Sequence, residues 1–121
     1  MADYLPKFKP GEAITYTASA AVIGGRLVAV TTTAPGTRTV GPAGVDSAAV
    51  VGVAGFDAAA GDPVTVYAGG VQRLTASGAI ATGAPVTAAA AGLATTGGTN
   101  RVGIALQPAA AANDVIDVLF N

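Results

Sequence analysis

Cysteine, histidine and tryptophan are all absent from the 121 residues. Without thiolate or imidazole there is no zinc site of the usual kind and no nucleophilic triad built on a histidine base. Disulfides are excluded as well, yet a chain of this length buries roughly two-thirds of its unfolded surface and folds without staples. Charge is scarce: 11% of the residues are Asp, Glu, Lys or Arg, against about 25% in an average domain. The formal net charge is −1, so no basic field exists to draw nucleic acid or an anionic membrane. No run approaches the roughly 18 consecutive apolar residues of a membrane helix. The N-terminus MADYLPKFKPGE lacks the apolar core of a secretory signal. The expectation is a soluble protein made in the cytoplasm.

What the sequence does hold is apolar, at 51%. Much of this is alanine, which is tolerated on surfaces, so the core is smaller than the figure suggests. A monomer so poor in charge is prone to self-association. The composition therefore implies a surface largely covered by partners.

The chain reads as two copies of one unit. Residues 17–30 are TASAAVIGGRLVAV and residues 75–88 are TASGAIATGAPVTA. Aligned without a gap, they share T-A-S, the pairs Ala21-Val22 and Ala79-Ile80, then Gly25 with Gly83 and Val28 with Val86. A second pair follows in the same order, VGVAGFDAAAGDPVTVY at 51–67 and VGIALQPAAAANDVIDVL at 102–119. These agree through V-G-[VI]-A, an alanine run and an Asp (Asp62, Asp114) before an alternating strand, with one residue inserted. Two copies are too few for a solenoid, so the reading is a pseudo-symmetric pair, 17–67 and 75–119, within one domain spanning 17–121.

Each half is expected to be β. Residues 26–30, 64–67 and 115–119 combine β-branched side chains with alternation or short buried runs. Gly and Pro recur at Gly24-Gly25, Pro35-Gly36, Gly41-Pro42, Gly61-Asp62-Pro63, Gly69-Gly70, Gly83-Ala84-Pro85 and Gly97-Gly98. That spacing leaves room for short strands and hairpin turns, not for ordinary helices. Residues 86–91 are alanine-rich and tempt a helical reading, but their counterpart is the β segment around Val28. A single helical turn at 58–60 and another at 109–112 stay open alongside the extended alternative. The fold class is all-β, a small β-barrel or β-sandwich.

The first sixteen residues differ from the rest. They hold Tyr4, Phe8 and Tyr16, half of all aromatics, with both lysines, Asp3, Glu12, Pro6 and Pro10. Proline fixes extended backbone and is excluded from central strands. Residues 1–16 thus read as an extended arm with adhesive side chains rather than a frayed terminus.

No constellation for chemistry emerges. An enzyme here would depend on carboxylates, Lys, Ser, Thr or Tyr. Asp62 and Asp114 fall at equivalent turns, where Asp caps backbone N–H groups. Asp46 and Asp57 lie in loop-like text without a nearby base. Residues 114–117 lack the spaced oxygen ligands of a calcium loop, and no phosphate-binding glycine motif occurs. Arg26, Arg38, Arg73 and Arg101 are scattered, without the aromatics of a nucleic-acid surface. A biotinyl or lipoyl carrier domain fails too, because the lysines are Lys7 and Lys9, in the arm and not on a hairpin. The expectation is no catalytic residue, no metal and no cofactor.

Four stretches carry a family resemblance: A-A-V-x-x-G-x-L-V-x-V, V-V-G-V-A-x-x-D-A-A-A-G-D-x-V-T-V-Y-x-x-G-V, A-I-A-T-G-x-P-V and V-G-I-A-L-x-x-A-A-A-x-x-D-x-I-x-V-L. Together they resemble a family of capsid decoration proteins of tailed phages, known for a time only as a domain of unknown function in phage head-gene clusters. The match runs from about residue 11 to the C-terminus and consists of turn and core residues, so it speaks to fold more than activity. The resemblance implies a β-barrel-like subunit on the outer surface of the virion, present as a homotrimer at three-fold and quasi-three-fold positions. There it bridges neighbouring major capsid proteins after head expansion. It also implies that the arm runs along the shell, with Tyr4, Leu5, Lys7, Phe8 and Lys9 as capsid-binding residues. A tail or head-fibre component is the alternative, although such proteins usually carry extra repeats or a receptor domain. A carbohydrate-binding module is a further one, weakened by the missing tryptophan.

Overall fold

The computed structural model describes Tyr4, Lys7, Phe8 and residues 11–31 and 36–121. Ten strands follow in chain order: β1 Ile14–Ala18, β2 Leu27–Val30, β3 Thr39–Pro42, β4 Val50–Ala54, β5 Pro63–Tyr67, β6 Val71–Thr75, β7 Pro85–Ala88, β8 Ala94–Thr95, β9 Gly103–Ala105 and β10 Val115–Phe120. The first five close into a barrel in the order β1-β3-β2-β4-β5. The other five form a sheet in the order β6-β10-β9-β7-β8. Matching β6 to β1, β7 to β2, β8 to β3, β9 to β4 and β10 to β5 gives one circular order for both. The second sheet is the same barrel joined across its last gap by a single parallel bridge, Ala76 to Ala94.

The duplication shows in individual hydrogen bonds. Val22 and Ala58 exchange N–H···O bonds, as do Ile80 and Ala109. Gly25 N–H donates to the Ala54 carbonyl and Gly83 N–H to that of Ala105, both at 2.8 Å. Ser19 donates to Val40 and Ser77 to Ala94, again at 2.8 Å. Gly25 and Gly83 both have positive φ, 81° and 83°, where an L side chain is rarely accommodated. At the turn before the last strand, Gly61 in the first half meets Asn113 in the second, with φ of 90° and 73°. Asn is among the few side-chain-bearing residues that tolerate this region.

Some expectations need correction. Ala58 and Ala109 are extended bridge residues, so neither alanine run forms a helical turn at that point. Strand pairing explains it: a bridge to the preceding loop satisfies backbone groups that one isolated turn would leave open. Of residues 86–91, the first part is strand β7, and Ala90–Gly92 makes one short 3-10 turn containing Ala91 at φ 58°. Gly69 and Gly70 close no hairpin, because β5 and β6 belong to different sheets. Residues 14–16, expected in the arm, pair with β5 as part of β1. Ile14 and Tyr16 are half-buried there, which apolar side chains on alternate positions achieve by joining a sheet.

The first barrel is filled by small and β-branched residues: Ala18, Val22, Val28, Val40, Ala54, Val64 and Val66. Alternation along β2 turns Val28 inward and Leu27 and Ala29 outward, yet all three are buried. Leu27, Ala29, Ala43 and Val53 leave the first barrel and join one continuous core with Leu74, Ile80, Val86, Ile116 and Val118 of the second half. Burying a side chain such as Leu27 contributes about 1.5–3 kcal/mol, and here it joins the two halves.

Candidate functional site

Of the five residues expected to bind the capsid, three are described: Tyr4, Lys7 and Phe8. Tyr4 is 87% exposed and Lys7 is exposed. Phe8 is half-buried, with the Arg38 guanidinium carbon 5.2 Å from its ring centroid. At an exposed site such a cation–π contact contributes roughly 0.5–1 kcal/mol, enough to rest Phe8 against the start of β3. Leu5 and Lys9 lie outside the described residues. Of the five arm residues expected to meet a partner, Tyr4 and Lys7 thus present side chains to solvent and Phe8 is engaged within the chain.

A second feature is an open cleft of about 520 Å³ between the halves, lined by Ser47, Val50, Val51, Asn100, Arg101 and Phe120 among others. At its edge the loop after β3 grips the loop after β8. Thr99 N–H donates to both carboxylate oxygens of Asp46 at 3.0 Å, and Asn100 N–H donates to Oδ1 at 2.8 Å. Those backbone donors, Asn100 first, hold the Asp46 carboxyl below its ordinary pKa. The group serves the fold as an ionised acceptor, and its lone pairs are committed to the opposite loop. Asp57 and Asp114 are committed too: Asp57 Oδ1 accepts from Gly24 N–H at 2.8 Å, and Asp114 Oδ2 accepts from Ala110 N–H at 2.8 Å and Ala111 N–H at 3.1 Å. Among the described residues no group of three or more His, Cys, Asp or Glu is placed to hold a metal ion.

What the surface offers instead is apolar area. Ile23, Phe56 and Tyr67 are each about half exposed. Glycines bring them together: the Tyr67 ring lies over Gly55, and Gly24 backs directly onto the Phe56 backbone. On the second sheet Val71, Leu106, Val115 and Leu119 are exposed. Sequence reading did not single out these residues, since a Val or Leu in a strand signals burial until the packing of that strand is known. Large exposed apolar patches mark interaction surfaces. A surface of this kind, with the carboxylates of Asp46, Asp57 and Asp114 tied to backbone, suits docking.

Comparison with known proteins agrees in fold. One solved structure similar to this chain is the N base of the head fibre protein gp8.5 of bacteriophage phi29. The TM-score is 0.74 with 20% sequence identity, over 91% of this chain and 93% of that one. Among curated proteins none matches. The family model for the phage cement protein matches residues 8–120, which takes in both halves, and this chain therefore belongs to the phage cement proteins, structural proteins of the phage virion.

Proposed function

We propose that the protein cements the phage head: it binds the outer surface of the expanded capsid as a homotrimer and bridges neighbouring major capsid proteins. The observation that carries this reading is the family match across residues 8–120. The arm, with the Tyr4 side chain exposed, supplies the contact. Three arms on one trimer raise avidity by about 10²–10⁴ over a single arm. If an arm adds a strand to the shell, main-chain hydrogen bonds provide the affinity and few charges are needed, which suits a chain of net charge −1. The role is mechanical, with no catalysis, cofactor, nucleic acid or membrane.

A second reading rests on the likeness to a head-fibre base, in which the paired barrels seat a longer fibre on the head. Co-sedimentation of the full chain with undecorated expanded heads, against unexpanded proheads, separates these ideas. Saturable binding to expanded heads in multiples of three per site, with heads that then resist heat or chelation better, supports cementing. Binding without stabilisation supports the fibre-base reading, and no binding to either particle overturns both.

A further inference from the structure

The outer face of the second sheet carries Val71, Leu106, Val115 and Leu119, four of the ten large hydrophobics exposed among the described residues. Their placement follows from strand register. Val71 lies opposite Leu119, Leu119 opposite Ile104, and Ile104 opposite Pro85. Directly paired residues project from the same face of a sheet, so Val71, Leu119, Ile104 and Pro85 make an apolar row across β6, β10, β9 and β7. Beside it Arg73 lies opposite Asp117, and neither side chain has an ion-pair partner among the described residues.

The chain itself shows what covers such a face. Through the matched halves, Pro85 and Ile104 correspond to Leu27 and Val53. Those two are 0% and 4% exposed, because the second half packs over them. In the first half Thr15 and Tyr67, the counterparts of Arg73 and Leu119, stay exposed, and the β2–β4 part of the face is closed by another copy of the same fold. In the second half it is open: Pro85 is exposed and Ile104 half-buried.

We infer that the outer face of the second sheet, centred on Val71, Arg73, Ile104, Asp117 and Leu119, is where copies of this chain meet. The inference rests on the homotrimer reading above and names its interface. The charges are self-complementary: one copy's Arg73 meets Asp117 of the next, each within an apolar surround, and repetition around an axis closes a ring. The size fits the same picture. Four strands about 4.8 Å apart, each of some five residues at about 3.3 Å, give a face roughly 15 by 17 Å. That is short of the ~800 Å² per partner of a stable pair, so the contact is weak and the association reversible.

Sedimentation analysis of the full chain from about 1 to 200 µM tests this, with circular dichroism and melting as controls for folding. The wild type is expected to associate reversibly. Leu119→Glu should weaken association at least about tenfold, or about 1.4 kcal/mol, with the circular dichroism of the folded chain retained. Arg73→Asp should weaken it similarly, and the double exchange Arg73→Asp with Asp117→Arg should restore it. A wild type that stays monomeric throughout, or a folded Leu119→Glu variant that associates as the wild type does, overturns the inference. A dimer with the same sensitivities upholds the interface and overturns the trimer. Oligomers that fail to bind expanded heads overturn the cement reading and leave the interface standing.

Discussion

Asn100 holds Asp46 from two sides: its backbone N–H donates to Oδ1 at 2.8 Å, and its side-chain amide donates to the Asp46 carbonyl oxygen at 2.9 Å. The two residues stand equally far beyond Val40 and Ala94, which occupy corresponding places in the two halves. The corresponding loops therefore clasp each other where the halves join. Asp46 adopts a positive φ of 52° to do so, and its own N–H donates to the Ala88 carbonyl at 2.8 Å.

Removing the clasp should loosen the junction. Asp46→Ala is expected to melt below the wild type at neutral pH, and Asp46→Asn between the two, since its amide oxygen still accepts one bond. The pH dependence has a definite sign. The folded-state pKa is lowered from the ordinary value of about 3.9, so the carboxylate's contribution is complete above that pH. It disappears as pH falls through the lowered value. Melting curves from about pH 5 down to pH 2 should show a steeper loss for the wild type than for Asp46→Asn. Parallel curves would falsify the assignment.

Thr87 gives a prediction of opposite direction. It is 1% exposed, and its hydroxyl has no hydrogen-bond partner among the described residues. Gly98 packs against both this hydroxyl and the Asp46 carboxylate, so the loop covers Thr87 without bonding to it. A buried hydroxyl left unpaired costs roughly 1–3 kcal/mol. Ala29, its counterpart in the first half, carries no polar atom at this place. Thr87→Val keeps the shape and removes the unpaired group, so denaturant unfolding should show a gain of about 1 kcal/mol. A loss of that size would mean the hydroxyl is satisfied.

The strands and their repetition were legible because they depend on local rules. Gly25 and Gly83 mark a turn that needs positive φ, and the alternation of residues 64–67 and 115–119 sets inner against outer faces. Docking was not legible. Leu27 and Pro85 occupy the same position in their halves, and only the packing of one half on the other makes the first a core residue and the second a surface one. Asp46 read as an unremarkable loop acid because Thr99 and Asn100 are more than fifty residues away in the chain. The alanine runs misled for a related reason: helix propensity is a weak prior, and the bridges from Ala58 and Ala109 to Val22 and Ile80 outweigh it.

The arm residues should separate by what they touch. Tyr4 is almost wholly exposed, so Tyr4→Ala is expected to leave the melting temperature unchanged and to weaken binding to expanded heads. Phe8 rests under Arg38, and Phe8→Ala should cost up to about 1 kcal/mol of stability through that contact. Deleting residues 2–10 removes both and should abolish most head binding while the barrel still folds, because β1 begins at Ile14. Binding isotherms on expanded heads, with melting curves for each variant, make the comparison. If the deletion variant binds as the wild type does, the contact with the shell lies on the barrels, and the exposed cluster of Ile23, Phe56 and Tyr67 becomes the surface to mutate next. If Tyr4→Ala alone reproduces the deletion, the arm acts through that one aromatic anchor, as interfaces dominated by a few buried aromatics do.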